Sequence, residues 1–191
     1  MEKITCFKAY DVRGRIPDQL NEDIAYRIGR AYAAFLQPKN VVVGEDIRLS
    51  SPGLRAALVS GLTDSGVNVK ELGLCGTEGV YFATDHFGFD GGIMVTASHN
   101  PIDYNGLKFV REQSRPISGD NGLNEIRALA EAGEFTTAER PGTTREQPNE
   151  EAYVKHLLSY VDVAQLKPLK IVVNAGNGGA GKVVDLLQEH L

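Results

Sequence analysis

The sequence predicts a three-layer α/β/α domain built on a small mixed sheet whose last strand is antiparallel, followed by the start of a second, similar domain. Three observations predict it. Short apolar runs alternate with longer segments of helical period, the order expected of an open sheet covered by helices. Two later apolar runs, residues 92–96 and 107–111, are separated by ten residues without helical period, too few for a parallel crossover. Residues 133–148 are polar and aperiodic, and the strand and helix signals then resume.

Taken in order, residues 5–10 read as a short extended stretch ending in the polar turn Asp11-Val12-Arg13-Gly14. Asn21 is placed to cap a helix reaching about Leu36, with Ile24, Ile28, Tyr32 and Phe35 at helical spacing and Pro38 as its stop. Val41-Val42-Val43 is the continuous apolar run of a strand buried on both faces. Ser51-Pro52 supplies a cap followed by proline at the first helical position. That helix turns Leu54, Leu58, Gly61 and Leu62 inward and stops at Gly66. Residues 67–74 form the next strand, and Thr77-Glu78 opens a helix carrying Val80, Tyr81 and Ala83.

The loop 97–106 is expected to project from one end of the sheet, with Asn105-Gly106 as the turn pair that brings the chain back. Residues 120–132 read as a helix with Leu123, Ile126, Leu129 and Ala130 inward. The polar segment then divides the chain into 1–148 and 149–191. The second piece holds a helix (149–160), a strand (169–174), a glycine-rich turn and a helix with Val183, Val184, Leu186 and Leu187. One strand and two helices do not close a core, so this piece is expected to be the truncated opening of a second domain.

A hydrophobic content of 42% and a charged content of 24% suit a globular protein with a real core. The net charge of −5 argues against nucleic acid as a partner, since phosphate backbones are held by clustered Lys and Arg. Small phosphates need only a local convergence of cations. Cys6 and Cys75 are too few for a disulfide framework or a thiolate metal site and are expected to be small buried hydrophobes. Neither a signal-peptide core nor a membrane-length apolar run occurs, which sets the expectation of a cytoplasmic protein with no membrane partner.

Chemistry concentrates around Ser98, in Thr96-Ala97-Ser98-His99-Asn100-Pro101 between two strands. A serine hydroxyl is a weak nucleophile unless it is activated or already carries the group to be transferred. Lys108 alternates with Leu107 and Phe109, so it faces away from them, and near a serine or phosphoserine it could neutralise charge and move a proton. A plain polar loop, with His99 and Asn100 bonding backbone groups, accounts for the same residues. Asp46 and Arg48 follow the buried strand and either support the serine loop or form a local capped salt bridge.

Gly176-Asn177-Gly178-Gly179-Ala180-Gly181 fits the dinucleotide pattern G-x-G-x-x-G. A tight turn packing strand against helix is the simpler reading, because the ribose-binding acid expected about 20 residues later falls outside the sequence. A serine hydrolase is disfavoured because Ser98 lacks the flanking glycines of the G-x-S-x-G elbow.

Three segments in order, Phe7-Lys8-Ala9-Tyr10-Asp11-Val12-Arg13-Gly14, the Ser98 hexapeptide and Asp103-Tyr104-Asn105-Gly106-Leu107-Lys108, resemble signatures of the α-D-phosphohexomutase family. Arg111-Glu112 with Arg115-Pro116-Ile117-Ser118-Gly119-Asp120 resembles its bacterial phosphomannomutase branch, and the likeness covers essentially the whole chain. The resemblance implies an isomerase acting as an intramolecular phosphotransferase on hexose phosphates. Mannose 6-phosphate and mannose 1-phosphate are the implied pair, with glucose phosphates as the alternative.

By the same resemblance Ser98 carries the phosphoryl group, donates it to the sugar to form a hexose 1,6-bisphosphate, and recovers the other phosphate after the sugar turns over. It also implies that the Ser98 phosphate ligates Mg²⁺, that Lys108 is the general base, that Tyr10 and Arg13 lie near the phosphoserine and substrate, and that His99 orients the reacting groups. A phosphoserine carries about −1.5 to −2 charges, so Mg²⁺, Arg13 and Lys108 would act by collecting that charge. The family's metal-binding aspartates and sugar-binding loops have no counterpart here, and no Asp-x-Asp-x-Asp pattern occurs. The 191-residue chain alone is therefore expected to be inactive, with a non-catalytic phosphate-binding piece as the alternative.

Overall fold

The structure is a computed structural model and describes residues 3–191. Its elements run β1 (Val12–Arg15), α1 (Glu22–Leu36), β2 (Asn40–Glu45), α2 (Ser51–Asp64), β3 (Asn68–Leu74), α3 (Thr77–His86), β4 (Gly91–Val95), β5 (Tyr104–Arg111), α4 (Leu123–Ala132), β6 (Thr144–Glu146), α5 (Glu150–Leu158) and α6 (Ala180–Leu187). Local chemistry explains most boundaries. The Asn21 side chain accepts the Ile24 N–H at 3.0 Å, satisfying an orphan donor of the first turn of α1. Gln37 closes that helix in the left-handed conformation, just ahead of Pro38.

The sheet has six strands in the order β1-β5-β4-β2-β3-β6. β2, β3, β4 and β6 run parallel, and β5 is antiparallel to both neighbours, β4 and β1. The short connection after β4 thus returns an antiparallel strand, as its length requires. Val41, Val43, Ile93, Val95, Leu107 and Phe109 face the large core beneath α1, α2 and α4. Val42 and Met94 point the other way, against Val80 and Ala83 of α3. Helices on both faces are why all three valines of β2 must be apolar. α1 and α2 approach closely because of two glycines: a Cβ on Gly61 would lie 2.3 Å from the Tyr26 carbonyl oxygen, and one on Gly29 would lie 2.5 Å from that of Leu58.

Five local expectations are corrected. The first strand is Val12–Arg15 rather than residues 5–10, because a turn closed by Lys8 N–H to the Asp11 carbonyl (2.8 Å) precedes it and β5 supplies its ladder. Asn105 and Gly106 do not form a turn; they lie inside β5, paired with Gly14 and Arg13. Ser51 is the first residue of α2 rather than its cap, and its fully buried hydroxyl donates to Asp46 at 2.6 Å. The polar segment after α4 contributes β6, an edge strand exposed on both faces and therefore without period-2 alternation. Residues 169–174 do not form a strand: Val173 is 57% exposed, Ile171 71% and Val172 92%, and no neighbour among the described residues completes their ladder.

Candidate active site

The sheet topology creates the site. From β2 the chain passes through α2 to β3 on one flank, then through α3 to β4 on the other flank of β2. The carboxyl ends of β2 and β4 therefore border a crevice that no connection crosses, the switch point at which open α/β sheets bind ligands. The segment leaving β2 carries Asp46 and Arg48, and the segment leaving β4 carries Thr96 and Ser98.

Ser98 is exposed at φ 52°, a left-handed conformation unusual for a residue with a Cβ. Its hydroxyl lies 3.3 Å from Nδ1 of His99, which is also exposed. A frame of buried and half-buried polar groups holds this shape. The Ser98 N–H donates to Thr96 Oγ1 at 2.8 Å, and that hydroxyl donates onward to Asp46 Oδ2 at 2.7 Å. Asp46 Oδ1 accepts from the Ser51 hydroxyl at 2.6 Å and from the Arg48 N–H at 3.0 Å.

Arg48 spreads its guanidinium across the loop. Nη1 donates to the carbonyls of Pro101 (2.8 Å) and Tyr104 (2.9 Å), and Nη2 to those of Ser98 (2.8 Å) and Asn100 (2.6 Å). Its Nε stands 3.5 Å from Asp46 Oδ2, an ionic contact without a hydrogen bond. The two readings of this pair, loop support and local salt bridge, are both realised in one structure. Asn105, fully buried in β5, braces the far side by donating to Ser50 Oγ at 2.8 Å and Ser51 Oγ at 3.0 Å.

Arg13 and Lys108 converge on a residue that sequence reasoning did not single out. In the β1–β5 register Arg13 lies opposite Gly106, so Arg13 and Lys108 share one face, and Asp11 in the turn before β1 meets both. Asp11 Oδ2 accepts from Arg13 Nη2 at 2.8 Å and lies 3.4 Å from Lys108 Nζ. Arg13 Nη1 reaches the serine loop by donating to Asn100 Oδ1 at 2.5 Å. Tyr10 joins none of these contacts and stands 76% exposed. Arg13 and Lys108 are thus brought together beside the loop, neither hydrogen-bonds the Ser98 hydroxyl, and Tyr10 is not drawn in. The i, i+2 spacing of Asp11, in the turn before β1, and Arg13 was a usable signal, but only with the partner strand known.

A cleft of about 650 Å³ opens in front of the loop, with Ser98, His99 and Arg48 on one wall and Gly76-Thr77-Glu78 and Gly178-Gly179 on the other. Gly76 gives α3 no side-chain cap, so the first N–H groups of that helix remain without one at the cleft, an electrostatic setting that favours anions. The residues leading directly into Gly176 form no strand, so the dinucleotide pattern lacks the strand–turn–helix context that its chemistry needs. Among the described residues no three His, Cys, Asp or Glu side chains converge as a cluster that could hold a metal ion. Burial pushes the Cys75 thiol up to about 12 and that of Cys6 to about 11, so both behave as small hydrophobes. The Tyr81 phenol is also raised, by burial first and then by the Glu78 and Asp11 carboxylates.

The left-handed backbone at Ser98 makes a stability prediction. Alanine keeps the Cβ clash and glycine removes it, so Ser98→Gly should be more stable than Ser98→Ala by about 1 kcal/mol. Parallel urea titrations measure this, and equal midpoints would show that the loop relaxes in the variants.

The α/β/α domain thus presents an exposed serine in a left-handed loop at the switch point of its sheet, with Arg13 and Lys108 beside that loop. The chain belongs to the phosphoglucomutase/phosphomannomutase family: residues 5–137 match that family's alpha/beta/alpha domain I. It is 57% identical over 193 residues to the phosphomannomutase of Salmonella typhimurium (strain LT2), covering 100% of this chain and 42% of that protein. Over 188 residues it is 58% identical to a Xanthomonas campestris pv. campestris (strain B100) protein named phosphohexose mutases, covering 98% of this chain and 42% of that one. A crystal structure of a phosphoglucomutase/phosphomannomutase family protein from Burkholderia thailandensis superposes with a TM-score of 0.84 at 35% identity, over 99% of this chain and 42% of the other. The chain thus spans 42% of the length of these relatives. No described helix is long and apolar enough to cross a membrane.

Proposed function

We propose that this chain is the phosphoserine-bearing part of a cytoplasmic phosphohexomutase that interconverts mannose 6-phosphate and mannose 1-phosphate through a hexose 1,6-bisphosphate. The observation that carries the reading is Ser98 itself, exposed at φ 52° on a loop whose carbonyls Arg48 gathers. A hydroxyl exposed at an open cleft on a backbone tied by Arg48 and Thr96, with Arg13 and Lys108 beside its loop, suits a carried dianion. A hydrolase would instead need a base oriented by a third group, and His99 is exposed without one. The choice of mannose rests on the name of the Salmonella relative.

In the proposed transfer, a hexose hydroxyl oxygen attacks the phosphorus on Ser98 and the P–Oγ bond breaks. The hydroxyl proton passes to a base, for which the neutral amine form of Lys108 is the proposed acceptor, and from the ammonium so formed it returns to the departing Ser98 oxygen. The reverse transfer, from the other end of the bisphosphate, restores the phosphoserine. Arg13 and the free N–H groups of α3 offset the charge that moves between the two oxygens. Mg²⁺ enters in one respect only: the phosphate on Ser98 is the ligand this chain would offer, and its other ligands would come from outside the described residues.

The test is a chimera in which this chain replaces the matching 42% of the Salmonella phosphomannomutase. It should interconvert the mannose phosphates and carry one phosphoryl group on the peptide containing Ser98. Ser98→Ala should lower turnover at least ~10³-fold, and Lys108→Ala about 10²-fold or more. An active chimera that tolerates Ser98→Ala would sink the proposal.

A further inference from the structure

The cation pair beside the serine loop is held asymmetrically, and the asymmetry carries an inference that rests on the phosphoryl-transfer reading. Arg13 is anchored at both ends: one Nη bonds Asp11 at 2.8 Å and the other bonds Asn100 at 2.5 Å. Each Nη makes one of these bonds, and together they tie β1 to the loop. Lys108 meets the same Asp11 oxygen at 3.4 Å, a long contact for an ammonium that has three protons to donate. Its side chain is 29% exposed, against 13% for Asp11 and 22% for Arg13. The carboxylate therefore grips one cation firmly and the other weakly.

We propose that Asp11 is a positioning residue that holds Lys108 in reserve: Arg13 stays bound to Asp11 throughout, while Lys108 exchanges from the carboxylate to a phosphate oxyanion arriving at the serine loop. A phosphate offers several oxygens and about two negative charges, and it outcompetes one oxygen shared with an arginine. The carboxylate keeps the ammonium parked within a side chain's reach of the loop. It also repels an anion, so it opposes phosphate binding until Lys108 moves. Asp11 touches no reacting atom and acts through the lysine.

This gives a sign that a merely structural residue would not give. Inorganic phosphate is titrated into the 191-residue chain at constant ionic strength, with binding followed by backbone amide and side-chain nitrogen resonances. Removing the competing charge in Asp11→Asn should tighten phosphate binding at least about fivefold. Asp11→Glu, which keeps the charge, should bind like the parent. Adding Lys108→Met to Asp11→Asn should abolish the gain. A weaker or unchanged affinity in a folded Asp11→Asn chain overturns the proposal, as does the absence of phosphate binding in every form at tens of millimolar.

A second measurement needs no substitution at Asp11. In the parent chain, phosphate should shift the Lys108 ammonium signal and leave the Arg13 guanidinium signals in place. Movement of Arg13 instead of Lys108 also overturns the proposal. Neither experiment requires turnover. An inactive chimera with an intact phosphate response therefore counts against the mutase reading alone, and an active chimera with a failed titration counts against the exchange alone.

Discussion

Gly106→Ala is expected to destabilise the chain by at least about 3 kcal/mol, measured as a fall in the urea midpoint at unchanged slope. The added Cβ would stand 2.2 Å from the Val12 carbonyl oxygen and 2.9 Å from that of Thr96. Both obstacles are backbone, and both are fixed by ladders: β5 sits between β1 and β4, and the Thr96 N–H donates to the Gly106 carbonyl at 2.9 Å. No side-chain rotation relieves the clash, so β1 must move away or the β4–β5 pair must part. Either movement also separates Arg13 from Asn100. Gly73→Ala is the control. Its site has open space but a φ of 67°, and it should cost only about 1 kcal/mol. Equal midpoints for the two variants would show that close backbone approach is not what demands glycine at 106.

Arg48→Met should have the next largest effect, concentrated in the serine loop. Four carbonyl oxygens, those of Ser98, Asn100, Pro101 and Tyr104, lose a charged donor at once, and Asp46 loses its cation. Hydrogen bonds to charged groups contribute about 1.5–3 kcal/mol each, but water can replace part of this at an exposed loop, so a global loss of about 2 kcal/mol is expected. The local signature is sharper. Amide hydrogens of residues 97–103 should exchange at least ~100-fold faster, while those of β2 change only by the global loss. Arg48→Lys should not rescue the loop, because a single ammonium on a flexible stem cannot span four carbonyls. Loop amides exchanging at the parent rate in Arg48→Met would refute the clamp.

These effects depend on pairings of very different legibility. Asn21, the valines at 41–43, Gly66 and the Thr77-Glu78 start all act on their own neighbours, and each stands in the element its local chemistry specifies. Asn105-Gly106 is the instructive failure. The dipeptide has the local preference of a turn, yet it is buried in β5, because strands on both sides supply ladder partners and the glycine admits two backbones where no side chain fits. Residues 169–174 fail in the opposite sense, with strand composition and no partner among the described residues. β6 escaped notice because an edge strand exposed on both faces has no reason to alternate.

The candidate site divides along the same line. The Ser98 loop and Lys108 on its returning strand were legible as residue types, since a loop between two short strands must project from the end of a sheet; Arg13 was expected there through the family resemblance alone, and Arg48 was open between loop support and a local salt bridge. The shared carboxylate of Asp11, the Thr96 hydroxyl that relays between Ser98 and Asp46, and the bracing by Asn105 were not.

The sequence by itself determined helices α1 to α4 and the central strands β2 to β5, that helices cover both faces of the sheet, and which hydroxyl stands free in a loop; these follow from period, caps and burial read within a few residues. Only the tertiary structure decided that β1 lies beside β5, that Asp11 holds two cations on one oxygen, and that a guanidinium from the segment after β2 shapes the serine loop. The physical reason is that an ion pair or ladder bond between residues 50 to 100 positions apart depends on which strands become neighbours. That choice is made by the packing of the whole sheet rather than by the preferences of the residues that finally meet.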